Sequence, residues 1–128
     1  METTIKFLND AKTFYLATTK DGKPDVRPMG IAIPYEGKLY FITAKSMNLH
    51  DELQKDSHVS ITACVDDKWL RLSAEAVLDD CEKTKATFID LDEKIAKMFP
   101  SEVMAAYYLK DAEAMICSFT GDPDVHTF

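Results

Sequence analysis

Residues 13–44 read TFYLATTKDGKPDVRPMGIAIPYEGKLYFITA, and the way this stretch divides decides the fold. TFYLATT has the apolar alternation of a half-buried strand. Asp21-Gly22 follows, a pair suited to the positive φ of a two-residue hairpin turn. DVRPMGIAIP (25–34) alternates again, yet carries Pro28 and Gly30 at its centre. Proline lacks a ladder donor and glycine has no side chain to pack. The strand therefore gives up hydrogen bonding and packing side by side, just after Arg27. A second turn at YEGK, around Gly37, leads into LYFITA. Three strands joined by two tight turns read as an antiparallel meander, and a parallel βαβ arrangement fits poorly because it needs long crossovers.

Outward from this stretch, Ile5, Leu8 and Ala11 mark a short helix over Thr3–Ala11. SMNLHDELQKD changes the period: Leu49 and Leu53 fall four apart, with Ser46 placed as an N-cap. SHVSITACV, the turn DDK and WLRLSAEAVL make another hairpin. Asp79-x-x-Glu82 has the form of a capping box, and Phe88, Leu91, Ile95, Met98 and Phe99 then repeat at helical spacing until Pro100. A short helix around Val103–Tyr107 and a last strand, AEAMICSFTG, are expected before Gly121 and Pro123 end the chain. Six strands, five early and one returning late, with short helices inserted, predict an α+β, mostly β fold. The expected architecture is a six-stranded antiparallel Greek-key barrel, since closure removes sheet edges.

The chain has 128 residues, enough for one domain spanning 1–128 and too few for two. Its formal net charge is −7, with fifteen scattered Lys and Arg, which argues against a nucleic-acid footprint. Apolar runs are far shorter than the roughly 20 residues of a membrane span, and the N-terminus lacks the pattern of a secretory signal. Cys64, Cys81 and Cys117 form no CxxC, so reduced thiols in a cytoplasmic protein are expected, with Cys64 and Cys117 as small core residues.

GxSxG, Walker, GxGxxG and HExxH patterns are all missing, and no His, Cys and carboxylate cluster has metal spacing. His50, His58 and His126 read as surface or half-buried residues. Two features in adjacent strands remain. One is Arg27-Pro28-Met29-Gly30. The other is YFITAKS, where Thr43, Lys45 and Ser46 lie at a strand-to-helix junction, whose free N–H groups favour an anion. In strand geometry Arg27, Met29, Ile31 and Ile33 share one face, and Pro28, Gly30 and Ala32 the other, which would let a flat ring approach the backbone. An Arg-Pro at a strand edge and a serine cap also occur without any ligand, so both readings stand.

GKPDVRPMGI, GKLYFITAKSMNLHDELQKDSHVSI, KWLRLSAEAVLDD and YYLKDAEAMICSFTG together resemble the pyridoxamine 5'-phosphate oxidase-like FMN-binding split barrels, across nearly the whole chain and in order. The resemblance implies a homodimer of six-stranded split barrels with FMN in the grooves between subunits. It implies Arg27 and Lys45 at the FMN phosphate, with Ser46 and Asn48 hydrogen-bonding nearby. The backbone of Pro28, Met29 and Gly30 would run along the isoalloxazine, with Ile42 and Thr43 beside it. Trp69 and Arg71 would lie near the dimer groove and reach the second flavin, or serve as an interface anchor and a solvated strand residue. Met47 stands where many relatives carry lysine, and the Arg-Leu-x-Pro ending of true pyridoxamine phosphate oxidases is missing, so that literal activity is not expected. The implied function is an FMN-dependent oxidoreductase moving electrons or hydride between a reduced donor, such as NAD(P)H, and a small-molecule acceptor. The alternative is a non-catalytic or sensor module holding flavin, haem or deazaflavin in the same groove.

Overall fold

The structure, a computed structural model, describes residues 1–128. Helix α1 (Glu2–Ala11) buries Ile5, Phe7 and Leu8. It is followed by β1 (Phe14–Lys20), β2 (Lys23–Met29), β3 (Ile33–Tyr35), β4 (Lys38–Ala44), α2 (Asn48–Lys55) and β5 (His58–Val65). Then come β6 (Lys68–Asp79), α3 (Glu82–Leu91), α4 (Glu93–Met98), β7 (Met104–Cys117) and β8 (Asp124–Thr127). All strand pairings are antiparallel, in the order β2-β1-β5-β6-β7-β4-β3, with β8 on the far half of β7. The sheet coils without closing, so the fold is a split barrel.

The expected meander is corrected at its centre. Both turns are as expected: Asp21 (φ 51) and Gly22 (φ 77), then Glu36 (φ 48) and Gly37 (φ 75), hold the paired left-handed geometry of tight hairpins. The stretch 25–34, however, is two strands. β2 stops at Met29, Gly30–Ala32 pair with nothing, and β3 restarts at Ile33 on the opposite end of the sheet. The proline explains why: Pro24 and Pro28, four apart, present the same strand edge, and β2 is an edge strand whose single partner is β1.

The second half differs too. The expected Val103–Tyr107 helix is the start of the 14-residue β7. Its period of two is hidden because both faces are buried. Ala105 and Tyr107 enter a core of 21 residues inside the barrel, while Met104 and Ala106 enter a second core of nine. β4 divides the same way, Leu39 and Phe41 facing one core, Tyr40 and Ile42 the other. Helices α3 and α4 cover the second core through Phe88, Ile95 and Phe99. The two helices replace the single one that the spacing predicted, because Asp92 turns extended and its Oδ1 accepts from Lys94 N at 2.9 Å, capping α4. A β-bulge between Ser73 and Glu75, opposite Asp111 (φ 52), lets β6 and β7 bend. With β3 separate and β8 added after Pro123, the strands number eight, not six.

The predicted caps also shift. Helix α2 is capped at Met47 and α3 at Cys81, neither with a side-chain bond, so Ser46 and the Asp79–Glu82 box do not cap. Asp79 instead accepts from Cys81 N, Thr84 Oγ1 and the buried Tyr40 hydroxyl, whose pKa is pushed up by burial and by that carboxylate. Cys117 is buried as expected, whereas Cys64 is exposed. On β5 Val59, Ile61 and Ala63 point inward, which leaves Cys64 on the outer face.

Candidate functional site

β2 and β4 do not pair, and between the end of β2 and the end of β4 lies a groove of about 730 Å³. One wall is the end of β2 and the unpaired Gly30-Ile31; the floor includes Ile42 and Thr43; the far side is the start of α2 and the helix α4. Of the residues expected from the sequence, Arg27, Pro28, Met29, Gly30, Ile42, Thr43 and Asn48 line this one groove. Gly30 leaves the groove open beside the backbone: a Cβ there would approach nothing closer than Lys12 O at 3.9 Å.

The α2 N-terminus enters this groove without a side-chain cap. The N–H groups of Asn48 and Leu49 make no backbone bond, while His50 N closes on Met47 O. Free first-turn N–H groups beside the exposed Asn48 side chain form a donor set suited to a phosphate, whereas the exposed Ser46 precedes the helix and does not line the groove. Met47 lines the same wall and accepts from Thr43 Oγ1 at 3.5 Å.

The two cations expected at that phosphate are both engaged within the chain. Arg27 meets Asp25 at 3.0 Å and Glu52 at 3.3 Å. Lys45 lies outside the groove lining, 3.5 Å from Asp80, which also receives the buried Lys85. The hydrogen bond with Lys85 holds the Asp80 carboxyl below the usual carboxylate range, and the same bond raises Lys85. The groove's own charges balance, with Arg27 and Lys94 against Asp25 and Asp92.

Trp69 and Arg71 are not in this groove. They line a second hollow of about 440 Å³ on the outer face of β1, β5, β6 and β7, together with Tyr15, Thr62 and Met115. Val26, 63% exposed, borders both hollows. The Trp69 ring packs on Phe119 at 5.1 Å between centroids.

Several residues in and behind the groove escaped the sequence reading. Glu52 does not line the groove but holds Arg27 from behind it, and its position betrays it: it falls three after Leu49, on the buried face of α2, where an acid requires a partner. Asp92, Lys94, Met98 and Phe99 also went unread as a wall, because only the break at Asp92 turns α4 toward β4. Beneath α2, the buried Tyr107 hydroxyl bonds His50 Nδ1 at 2.6 Å and Gln54 at 2.9 Å, fixing the helix to β7.

No three His, Cys, Asp or Glu side chains converge to hold a metal, and no helix is long and apolar enough to cross a membrane. No curated protein matches the chain. Among solved structures, a NimC/NimA family protein from Clostridium acetobutylicum superposes with a TM-score of 0.95 at 28% identity, covering 100% of this chain and 92% of that one. General stress protein 26 from Bacillus anthracis aligns with a TM-score of 0.76 at 14% identity, over 99% and 97% of the two chains. An FMN-binding protein related to pyridoxamine 5'-phosphate oxidase, from Nostoc punctiforme, aligns at 0.68 and 12% identity, over 99% and 94%. The sequence pattern of the family described as pyridoxamine 5'-phosphate oxidase matches residues 2–116, nine-tenths of the chain. With its split barrel and open groove, this chain belongs to the pyridoxamine 5'-phosphate oxidase family.

Proposed function

We propose that the groove binds FMN and that the protein is a flavin-dependent oxidoreductase acting on a small molecule as a homodimer. The observation that carries this reading is the convergence of Pro28, Met29, Gly30, Ile42 and Thr43 with the uncapped N-terminus of α2 in one groove. Asn48 and the first-turn N–H groups would hold the phosphate, with Ser46 and Lys45 reaching in from the adjoining turn and Arg27 and Lys94 as the cations that line the groove. The unpaired backbone at Gly30 and Ile31 would lie against the ring system. FMN, when bound, supplies the electron or hydride transfer between a reduced donor such as NAD(P)H and the acceptor. The chain's part is to bind, orient and shield. No side chain in the groove stands out as an acid or base, which fits redox chemistry carried by the cofactor. A cytoplasmic location follows from the same reading.

Titration of the purified protein with FMN at low salt tests the binding. A yellow complex with the two visible flavin bands is expected. Anaerobic addition of NADH or NADPH should then bleach those bands. Absence of FMN binding would remove the reading, and a bound flavin that no such donor reduces would leave a flavin-holding module.

A further inference from the structure

Arg27 faces the groove, yet its guanidinium is already committed. Nη1 donates to Leu16 O at 3.3 Å and to Thr18 Oγ1 at 2.9 Å. Nη2 donates to Asp25 Oδ2 at 3.0 Å and meets both Glu52 oxygens at 3.3 Å. Glu52 is 4% exposed, and its Oε1 also accepts from Thr18 Oγ1 at 2.8 Å. The network is thus closed: one buried carboxylate, one hydroxyl and one arginine satisfy one another, with Asp25 added from the solvent side.

Its charge count opposes a phosphate. Arg27 contributes one positive charge and Asp25 and Glu52 one negative each, so the cluster carries a net −1 (1 − 2). The two carboxylates are not equivalent. The Asp25 side chain is 43% exposed and can swing into water, whereas that of Glu52 is 5% exposed and has no water to turn to. Glu52 sits one turn below Asn48 on α2, where the phosphate donors of the proposed site begin. A phosphate approaching Arg27 therefore meets an arginine that is neutralised from beneath.

We infer that Glu52, seconded by Asp25, sets the groove's selectivity between phosphorylated and uncharged flavins by holding Arg27 as an internal counter-ion. A phosphate-bearing ligand competes with a carboxylate of the chain itself for that guanidinium; an uncharged flavin does not. Affinity for FMN is accordingly held down toward that for riboflavin, and the two residues are specificity determinants of the groove. The inference rests on the flavin reading above and goes beyond it by assigning the charge preference to named residues.

The test is separate titration of FMN and of riboflavin into the parent protein, Glu52→Gln and Asp25→Asn, followed by flavin fluorescence. Glutamine keeps an acceptor for Thr18 and Arg27 while removing the charge. The expected result is FMN binding about tenfold tighter in Glu52→Gln, and more weakly enhanced in Asp25→Asn, with riboflavin affinity changed by less than about twofold. The FMN gain should shrink in high salt. FMN affinity that is unchanged or reduced in both variants overturns the proposal. So does a parallel shift for FMN and riboflavin, which would mean general repacking. Should Glu52→Gln fail to fold, Asp25→Asn decides by the same criteria. If no flavin binds to any of the proteins, the flavin reading itself falls and the inference with it. Equal FMN binding by all of them overturns the inference alone.

Discussion

Lys85 has almost no contact with water, at 2% exposure, yet it keeps its charge because Asp80 lies 2.5 Å from its ammonium group and Glu82 lies at 3.7 Å. A buried cation of this kind is tolerable while its partner stays ionised, and costly once the partner is removed. Because Asp80 is itself 56% exposed and screened by water, Asp80→Asn should destabilise the fold at pH 7 by only about 0.5–1.5 kcal/mol, read from urea unfolding. The pH dependence has a definite sign. Asp80 titrates below its ordinary value of 3.8 in the folded state, so its contribution is present above that value and is lost as pH falls through the depressed one. The gap between parent and variant should be open at pH 7 and close on acidification below about pH 4. Lys85 titrates above its ordinary 10.5, so its share persists through neutral pH and disappears only as pH rises past its raised value. A gap that is constant from pH 7 to pH 3 would show that the pair contributes nothing specific.

Helix α4 is short, six residues, and holds its place by two means: the Asp92 cap at its start and Ile95 in the second core. Its outward residues Lys94 and Met98 form part of the groove wall. Asp92→Ala should cost about 0.5–2 kcal/mol through the lost cap. The loss should be local, visible as faster amide hydrogen exchange in residues 93–98 with β5 and β6 unaffected. Uniform acceleration across the sheet would instead mean that α4 is needed for the barrel as a whole. Elements with one buried face were readable beforehand: α1, β1, β5 and the hairpin turns all stand where alternation and left-handed turn residues put them. Elements buried on two faces were not. The run Met104–Tyr108 carries apolar residues on both sides, so its period was erased and a strand passed for a helix.

At the scale of the molecule, the outer hollow with Tyr15, Trp69, Arg71 and Met115 joins the groove through Val26. Exposed Val26, Tyr15 and Phe119 surround it, a concentration of apolar surface unusual on a monomer. If the second copy of the chain covers this face, light scattering should return twice the 14.4 kDa chain mass, and Trp69→Glu should return it once while leaving the circular dichroism unchanged. A monomeric parent would reject the arrangement. The amino-acid order alone determined the hairpins and the antiparallel class, because turn residues and alternation act over a few neighbours. Tertiary structure alone decided that residues 25–34 part into strands at opposite ends of the sheet, since a proline-bearing edge becomes an edge only once the other strands have been placed. It also decided what Arg27 does. Sequence shows an arginine beside a break in a strand. Folding brings up Glu52 from 25 residues away and turns a free cation into a held one, because charge pairing depends on distance in space and not along the chain.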